Sequence, residues 1–284
     1  MYRISFIRSQ TILLLPYILL KCILLLLMMH SRSYKLTILC TIVLLVAYIG
    51  LFAPSAIPRH SLAAYSQNQR LGQSTTGTKQ FSINQFANDT IGLLDTLKIR
   101  RADILGFSIG SYIAQEIALK NPNRVNSLIL YASSCGGKNA VPPRPQVLQA
   151  VSAITNTSLS AQQKIDRITS TLFPSEWFKA NPNYQSYIPN SKEPVSFEII
   201  QRQQQATVSW FSMGTCNTLS KITQPTLAIV GTDDMWTPAA NSLMIAEKIP
   251  GASVIQIKGA GHGLMYQFPD KFSKVVSTFL QIAS

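Results

Sequence analysis

Histidine, clustered cysteine and runs of like charge are scarce in this sequence. His30, His60 and His262 are the only histidines in 284 residues. The four cysteines, Cys22, Cys40, Cys135 and Cys216, contain no CxxC pair and form no short-spaced cluster with a histidine. Zinc is held by Cys and His at short, regular spacings, so that chemistry is excluded; neither a metal nor a cofactor is expected. Charged residues make up 13% of the chain, with 25 Lys and Arg against 12 Asp and Glu, for a net charge of +13. The cations are scattered, and no dense Lys/Arg run or basic stripe is present. That pattern describes a basic surface and no nucleic-acid partner. No internal repeat is visible, which excludes a solenoid or propeller. Oligomeric state leaves no signature.

What is abundant is apolar sequence, and much of it stands in residues 1–56. Thr11 to Met29 is interrupted by Pro16 and Lys21, whereas Leu36 to Ala53 carries no charge and follows Arg32 and Lys35. About 20 apolar residues cross a bilayer as a helix. A charge at the centre of such a helix costs about 2.5–3.5 kcal/mol on insertion scales, so the second stretch is the better span. The expectation is an uncleaved signal-anchor and membrane attachment through the N-terminal segment. Basic residues ahead of the span put the rest of the chain outside the cytoplasm; two spans would reverse that orientation. A competing reading makes Ile42 to Leu51, rich in β-branched residues, a buried parallel strand. A Cys135–Cys216 bridge would suit an exported domain.

From residue 57 onward, strand-like apolar runs alternate with helical periods, the signature of an α/β fold with a mostly parallel sheet and crossover helices. Helices are predicted over 82–97, 109–120, 239–248 and 271–282, and strands over 102–107, 125–131, 226–230 and 253–257. Ser82 and Gln85 have the spacing of a capping box. Residues 57–134 and 225–284 therefore form a core, and residues 135–224 form a helical insertion that reads as a lid. Its helices are expected near 145–156, 160–172 and 194–212.

Three loops carry chemistry. Gly106-Phe107-Ser108-Ile109-Gly110 lies between a strand and a helix, and its glycines permit a tight turn that holds a serine in a strained conformation. The serine also sits at a helix N-terminus, which favours developing negative charge. A serine hydroxyl needs a base. His262, in Lys258-Gly-Ala-Gly-His-Gly after the last predicted strand, is the histidine placed to serve. The base needs an orienting acid. Gly231-Thr-Asp-Asp-Met-Trp-Thr-Pro238 offers Asp233 and Asp234. The chain order Ser, Asp, His is that of the α/β-hydrolases.

On these motifs residues 57–284 resemble the α/β-hydrolase superfamily, in its small esterase, haloperoxidase-like and C–C-hydrolase branch. The resemblance implies that Asp234, fourth in G-x-x-D-x-x-x-P, is the acid, and that the backbone N–H of Ile109 is one oxyanion donor. It also exposes a departure. Pro58 to Tyr65 looks like the helix end and fourth strand of the family, and nothing before it looks like the first three strands. Gln67 and Arg70 stand where an Asp and a Gly are usual. The family's second oxyanion donor therefore has no counterpart. The expected activity is cleavage of a small or medium acyl ester through a Ser-His-Asp triad and an acyl-enzyme. Trp177 and Phe178 of the insertion, with Trp236 of the acid loop, are the candidate lining of an apolar acyl pocket. Two other readings stand beside it: a membrane-tethered pseudoenzyme or binding module lacking half its oxyanion hole, and perhydrolysis or C–C bond hydrolysis on the same triad.

Overall fold

The computed structural model describes residues 81–156, 158–184 and 197–283. The expected membrane segment 1–56, the alternative strand at Ile42 to Leu51 and the stretch from Pro58 to Arg70 lie outside these residues. Among the described residues no helix is long and apolar enough to cross a membrane.

The chain begins with helix α1 (Ile83–Thr96), then β1 (Ala102–Phe107), α2 (Ile109–Lys120) and β2 (Val125–Tyr131). Four helices follow: α3 (Pro145–Ser152), α4 (Ala161–Thr169), α5 (Ser175–Ala180) and α6 (Phe197–Met213). The chain returns through β3 (Thr226–Gly231), α7 (Ala239–Lys248), β4 (Ser253–Ile257), the short α8 (Leu264–Gln267) and α9 (Pro269–Ala283). The four strands lie in the order β1-β2-β3-β4, all parallel.

Strands β1 to β3 are buried along most of their length because both faces of the sheet are covered there, as parallel sheets require, whereas β4 leaves Ser253 and Gln256 exposed. On one face Ile104, Leu128 and Leu130 pack with Phe86 and Leu94 of α1, Ile113 and Ile117 of α2, and Ile245 of α7. On the other, Leu105, Ile129, Tyr131, Leu227 and Ile229 meet Leu264, Val276 and Leu280 of α8 and α9. Each such aliphatic side chain contributes about 1.5–3 kcal/mol by leaving water.

Helix α1 starts where Ser82 accepts the Gln85 N–H on its hydroxyl (3.0 Å). The reciprocal half of the expected capping box is not made. The Gln85 amide N–H instead donates to the Asp89 carboxylate one turn on (2.7 Å), which turns the side chain along the helix and away from the Ser82 N–H that its oxygen would have to accept. Among its described residues the insertion has a helix that was not expected: α5, six residues long, is too short to leave a hydropathy period.

The two arms of the insertion cross at their base. Cys135 and Cys216 form a disulfide there. Gly136 and Gly214 both adopt φ of +62°, and a Cβ on Gly214 would lie 2.3 Å from the Cys135 carbonyl oxygen. The crossing backbones are hydrogen-bonded from Thr215 N to Cys135 O and from Gly137 N to Phe211 O, each 2.7 Å. Helix α2 is anchored to both arms. Its buried Gln115 donates to Ser133 Oγ (3.0 Å) and Ser134 O (2.9 Å) and accepts from Thr215 Oγ1. Glu116 accepts from the indole N–H of Trp210 on α6 (2.8 Å).

Candidate active site

Ser108 occupies the single residue between β1 and α2, at φ 52° and ψ −121°. A non-glycine residue in that region costs about 1–3 kcal/mol, and such strain survives only where the surroundings over-determine it. Here the Ser108 N–H donates to Tyr131 O (3.0 Å), and Ser108 O accepts from the N–H of Ser111 (2.8 Å) and from its hydroxyl. Gly106 is required by the tightness of the turn, since a Cβ there would lie 2.3 Å from Gly110 O. Ile109 is the first residue of α2. N–H groups in a first helical turn have no partner within the helix and are available to an anion.

The other two loops converge on this serine. Asp234 and His262 are 2% and 3% exposed, so their interaction is little screened by water. His262 Nδ1 lies 2.9 and 3.0 Å from the two Asp234 carboxylate oxygens, and its Nε2 lies 3.0 Å from Ser108 Oγ. With Nδ1–H given to the carboxylate, Nε2 presents its lone pair to the serine hydroxyl. Asp234 also accepts from Trp236 N (2.8 Å), Thr237 N (2.9 Å) and Thr237 Oγ1 (2.9 Å). Those donors satisfy the buried carboxylate in its ionised form. Asp233 is exposed and its carboxylate accepts from Thr232 Oγ1 (3.0 Å). The structure thus brings Asp234, and not its neighbour, to the histidine.

Close approach explains the glycines of these loops. A Cβ on Gly231 would lie 2.1 Å from Ala260 O, where the acid and histidine loops touch. A Cβ on Gly263 would lie 2.2 Å from the Phe173 ring.

Of the candidate pocket residues, Trp236 lies against the His262 imidazole, with ring centroids 5.6 Å apart and planes at 27°. Trp177 and Phe178 pack on Phe173, at 4.4 and 5.6 Å between centroids. They form a layer behind the ring that abuts Gly263.

Two contributors were not apparent from the sequence. Phe107, the residue before the serine, lies 4.9 Å from the His262 ring. Tyr131, at the end of β2, uses both backbone and side chain. Its carbonyl accepts from Ser108, and its hydroxyl donates to His262 O (2.5 Å) and accepts from Met265 N (3.3 Å). The available signal was a tyrosine ending an apolar run, whose hydroxyl must find a partner when buried. The segment that would supply a second oxyanion donor lies outside the described residues. Among the described residues, no group of three or more His, Cys, Asp or Glu side chains is disposed to hold a metal ion.

A family model described as alpha/beta hydrolase fold matches residues 68–269. This chain belongs to the α/β-hydrolase fold family. Its similarity to a 2-hydroxy-6-oxononadienedioate/2-hydroxy-6-oxononatrienedioate hydrolase of Dechloromonas aromatica is 28% identity, over 66% of this chain and 65% of that one. The match therefore spans slightly less than two-thirds of that relative's length. A poly(3-hydroxyalkanoate) depolymerase of Ectopseudomonas oleovorans is 26% identical over 74% of this chain and 72% of its own. Among solved structures, Est816, described as an N-acyl homoserine lactone degrading enzyme, superposes with a TM-score of 0.57 at 26% identity. That alignment covers 73% of this chain and 78% of Est816. The α/β-hydrolase relatives are thus hydrolases that differ in substrate.

Proposed function

We propose that this α/β hydrolase is a serine hydrolase cleaving a small or medium acyl ester, with Ser108 as nucleophile, His262 as base and Asp234 as orienting acid. The observation that carries the proposal is the unbroken hydrogen-bond chain from the buried Asp234 through His262 to Ser108 Oγ. Ser108 Oγ bonds to the acyl carbon while its proton passes to His262 Nε2. Asp234 stabilises the imidazolium, and the Ile109 N–H donates to the developing oxyanion. The ester C–O bond then breaks as His262 returns the proton to the departing alkoxide. Water, deprotonated by His262, attacks the acyl-enzyme and releases the acid, restoring Ser108.

A second reading, C–C bond hydrolysis on the same residues, draws on the similarity to the dienedioate hydrolase. Residues 57–134 and 225–284 are read as the catalytic core, 135–224 as a lid and 1–56 as a membrane anchor. The Cys135–Cys216 disulfide supports placing the core in an oxidising, extracytoplasmic compartment. Detergent extraction that resists salt and carbonate tests the anchor.

The decisive experiment is fluorophosphonate labelling of the full-length chain, together with a panel of p-nitrophenyl esters and vinylogous diketone substrates. Labelling and ester turnover, both lost in Ser108→Ala, are the expected result. Asp234→Asn should lower kcat by about 10⁴-fold through the wrong imidazole tautomer, while Asp233→Asn stays near wild type. Turnover by folded Ser108→Ala overturns the proposal. Labelling without turnover favours the impaired-enzyme reading.

A further inference from the structure

The Trp236 ring that rests on His262 is itself held in place. Its indole N–H donates to Thr171 Oγ1 (3.0 Å). Thr171 is buried, and its own hydroxyl proton is committed to Ile168 O (2.6 Å), so the oxygen is aligned as an acceptor. Thr171 belongs to the insertion, just after α4, and the two residues that follow it also reach the triad loops. Leu172 O accepts from the N–H of Gly263 (2.9 Å), next to His262. The Phe173 ring fills the space that a side chain at Gly263 would take. Trp236 in turn touches both partners of the charge pair, since its backbone N–H donates to Asp234 and its ring faces His262.

We propose that Thr171 is a positioning residue for His262, acting through the Trp236 indole, so that the insertion between β2 and β3 sets the orientation of the base. The inference rests on the role given to His262 above. An indole that has lost its N–H acceptor is free to turn about its side-chain torsions. The imidazole then loses a wall that restricts its tilt. Proton transfer demands close alignment of donor and acceptor, and a displacement of about 1 Å can cost about 10²-fold in rate. A looser wall should cost less than that. The loss should fall on kcat, because neither Thr171 nor the indole N–H is needed to bind a small ester.

The test is a double-mutant cycle in the full chain, using Thr171→Val, which keeps the shape and removes the acceptor, and Trp236→Phe, which keeps an aromatic ring and removes the donor. Each should lower kcat on a small p-nitrophenyl ester by about 5–20-fold with KM changed by less than about 2-fold. The double variant should be no slower than Trp236→Phe alone, since both remove one hydrogen bond. Thr171→Ser, which keeps the hydroxyl, should return kcat to wild type. The His262 ring-proton resonances, shifted by the Trp236 ring current, should move in Thr171→Val and stay in Thr171→Ser. Thr171→Val within about 2-fold of wild type, fully multiplicative effects, or a change confined to KM overturns the inference. Should Thr171→Val fail to fold, Trp236→Phe and Thr171→Ser still decide: wild-type kcat in the first or a deficit in the second overturns it. Ser108→Ala separates the two levels. An active Ser108→Ala removes the triad reading itself, whereas an inactive Ser108→Ala beside a wild-type-like Thr171→Val removes only the positioning role.

Discussion

Reducing the Cys135–Cys216 disulfide should destabilise the protein substantially while leaving its chemistry intact. The bridge closes a loop with a sequence separation of 81. A cross-link over that span removes about 15 cal/mol/K from the unfolded chain, which corresponds to about 4.5 kcal/mol at 25 °C. The folded side of the balance changes little. The crossing at the bridge is already held by the Thr215 N to Cys135 O and Gly137 N to Phe211 O hydrogen bonds and by the close approach of Gly214. None of the hydrogen bonds linking Asp234, His262 and Ser108 passes through it. For a chain of this size, about 1 kcal/mol corresponds to about 2–4 °C in Tm, so the full effect is a fall of about 9–18 °C. The assay is thermal melting by circular dichroism of the oxidised protein, the reduced protein and a Cys135→Ala/Cys216→Ala variant, with ester turnover measured at 25 °C. Both reduced forms should melt low and turn over at the wild-type rate. A shift of less than about 3 °C would show that the unfolded chain gains no freedom from reduction, and the loop argument would fail. A fall in kcat at unchanged Tm would refute the separation of stability from chemistry.

Two further perturbations probe the surroundings of Ser108, Asp234 and His262. Tyr131→Phe leaves the His262 carbonyl and the Met265 N–H without the hydroxyl that bonds both; the expected loss is about 1–3 kcal/mol of stability, read by urea unfolding, with kcat also lowered. Tyr112 is held above the usual phenol range first by burial and second by the negative charge of Asp234. An unfolded tyrosine ionises near pH 10 while the folded one keeps its proton. Above that pH the folded state therefore loses up to about 1.4 kcal/mol of stability per pH unit from this group, and below it loses none. Tyr112→Phe should abolish this component, so the stability difference between wild type and variant should shift between about pH 9 and about pH 11; a constant difference refutes it.

Much of the core was legible because its punctuation is strong. Gly106, Gly110 and Pro225 bracket short apolar runs, and the strands at 102–107, 125–131 and 253–257 run as expected. That Ser108, Asp234 and His262 meet was expected on the same ground, since each follows a strand in a loop whose glycines serve close approach, and the structure brings the three side chains within hydrogen-bond distance. What escaped was contact between distant segments. Tyr131 looks like strand filler until β2 is known to lie beside β1, which puts its carbonyl against Ser108 and its hydroxyl under the histidine loop. Trp236 reads as a pocket wall until its N–H is seen to be taken by Thr171, 65 residues earlier. The capping-box pattern of Ser82 and Gln85 was only half made for a local reason: the Gln85 side chain is drawn along the helix to Asp89.

These contacts bear on how the site can open. The insertion is fastened at its base by the disulfide and by Gln115, along α6 by the Trp210 bond to Glu116 and the stacking of Trp210 on Tyr112 at 4.4 Å, and at its middle by Thr171 to Phe173. Two of these anchors lie on α2, the helix that begins directly after Ser108, and the third lies on the loops of Asp234 and His262. The strained serine is therefore held from both sides: by the core through Tyr131, and by the insertion through the helix behind it. A segment fastened at three places does not swing away as one rigid flap, because that motion would break buried polar bonds at every anchor. Any movement of the insertion that reaches Thr171 also reaches the Trp236 indole bonded to it and the His262 ring that the indole faces.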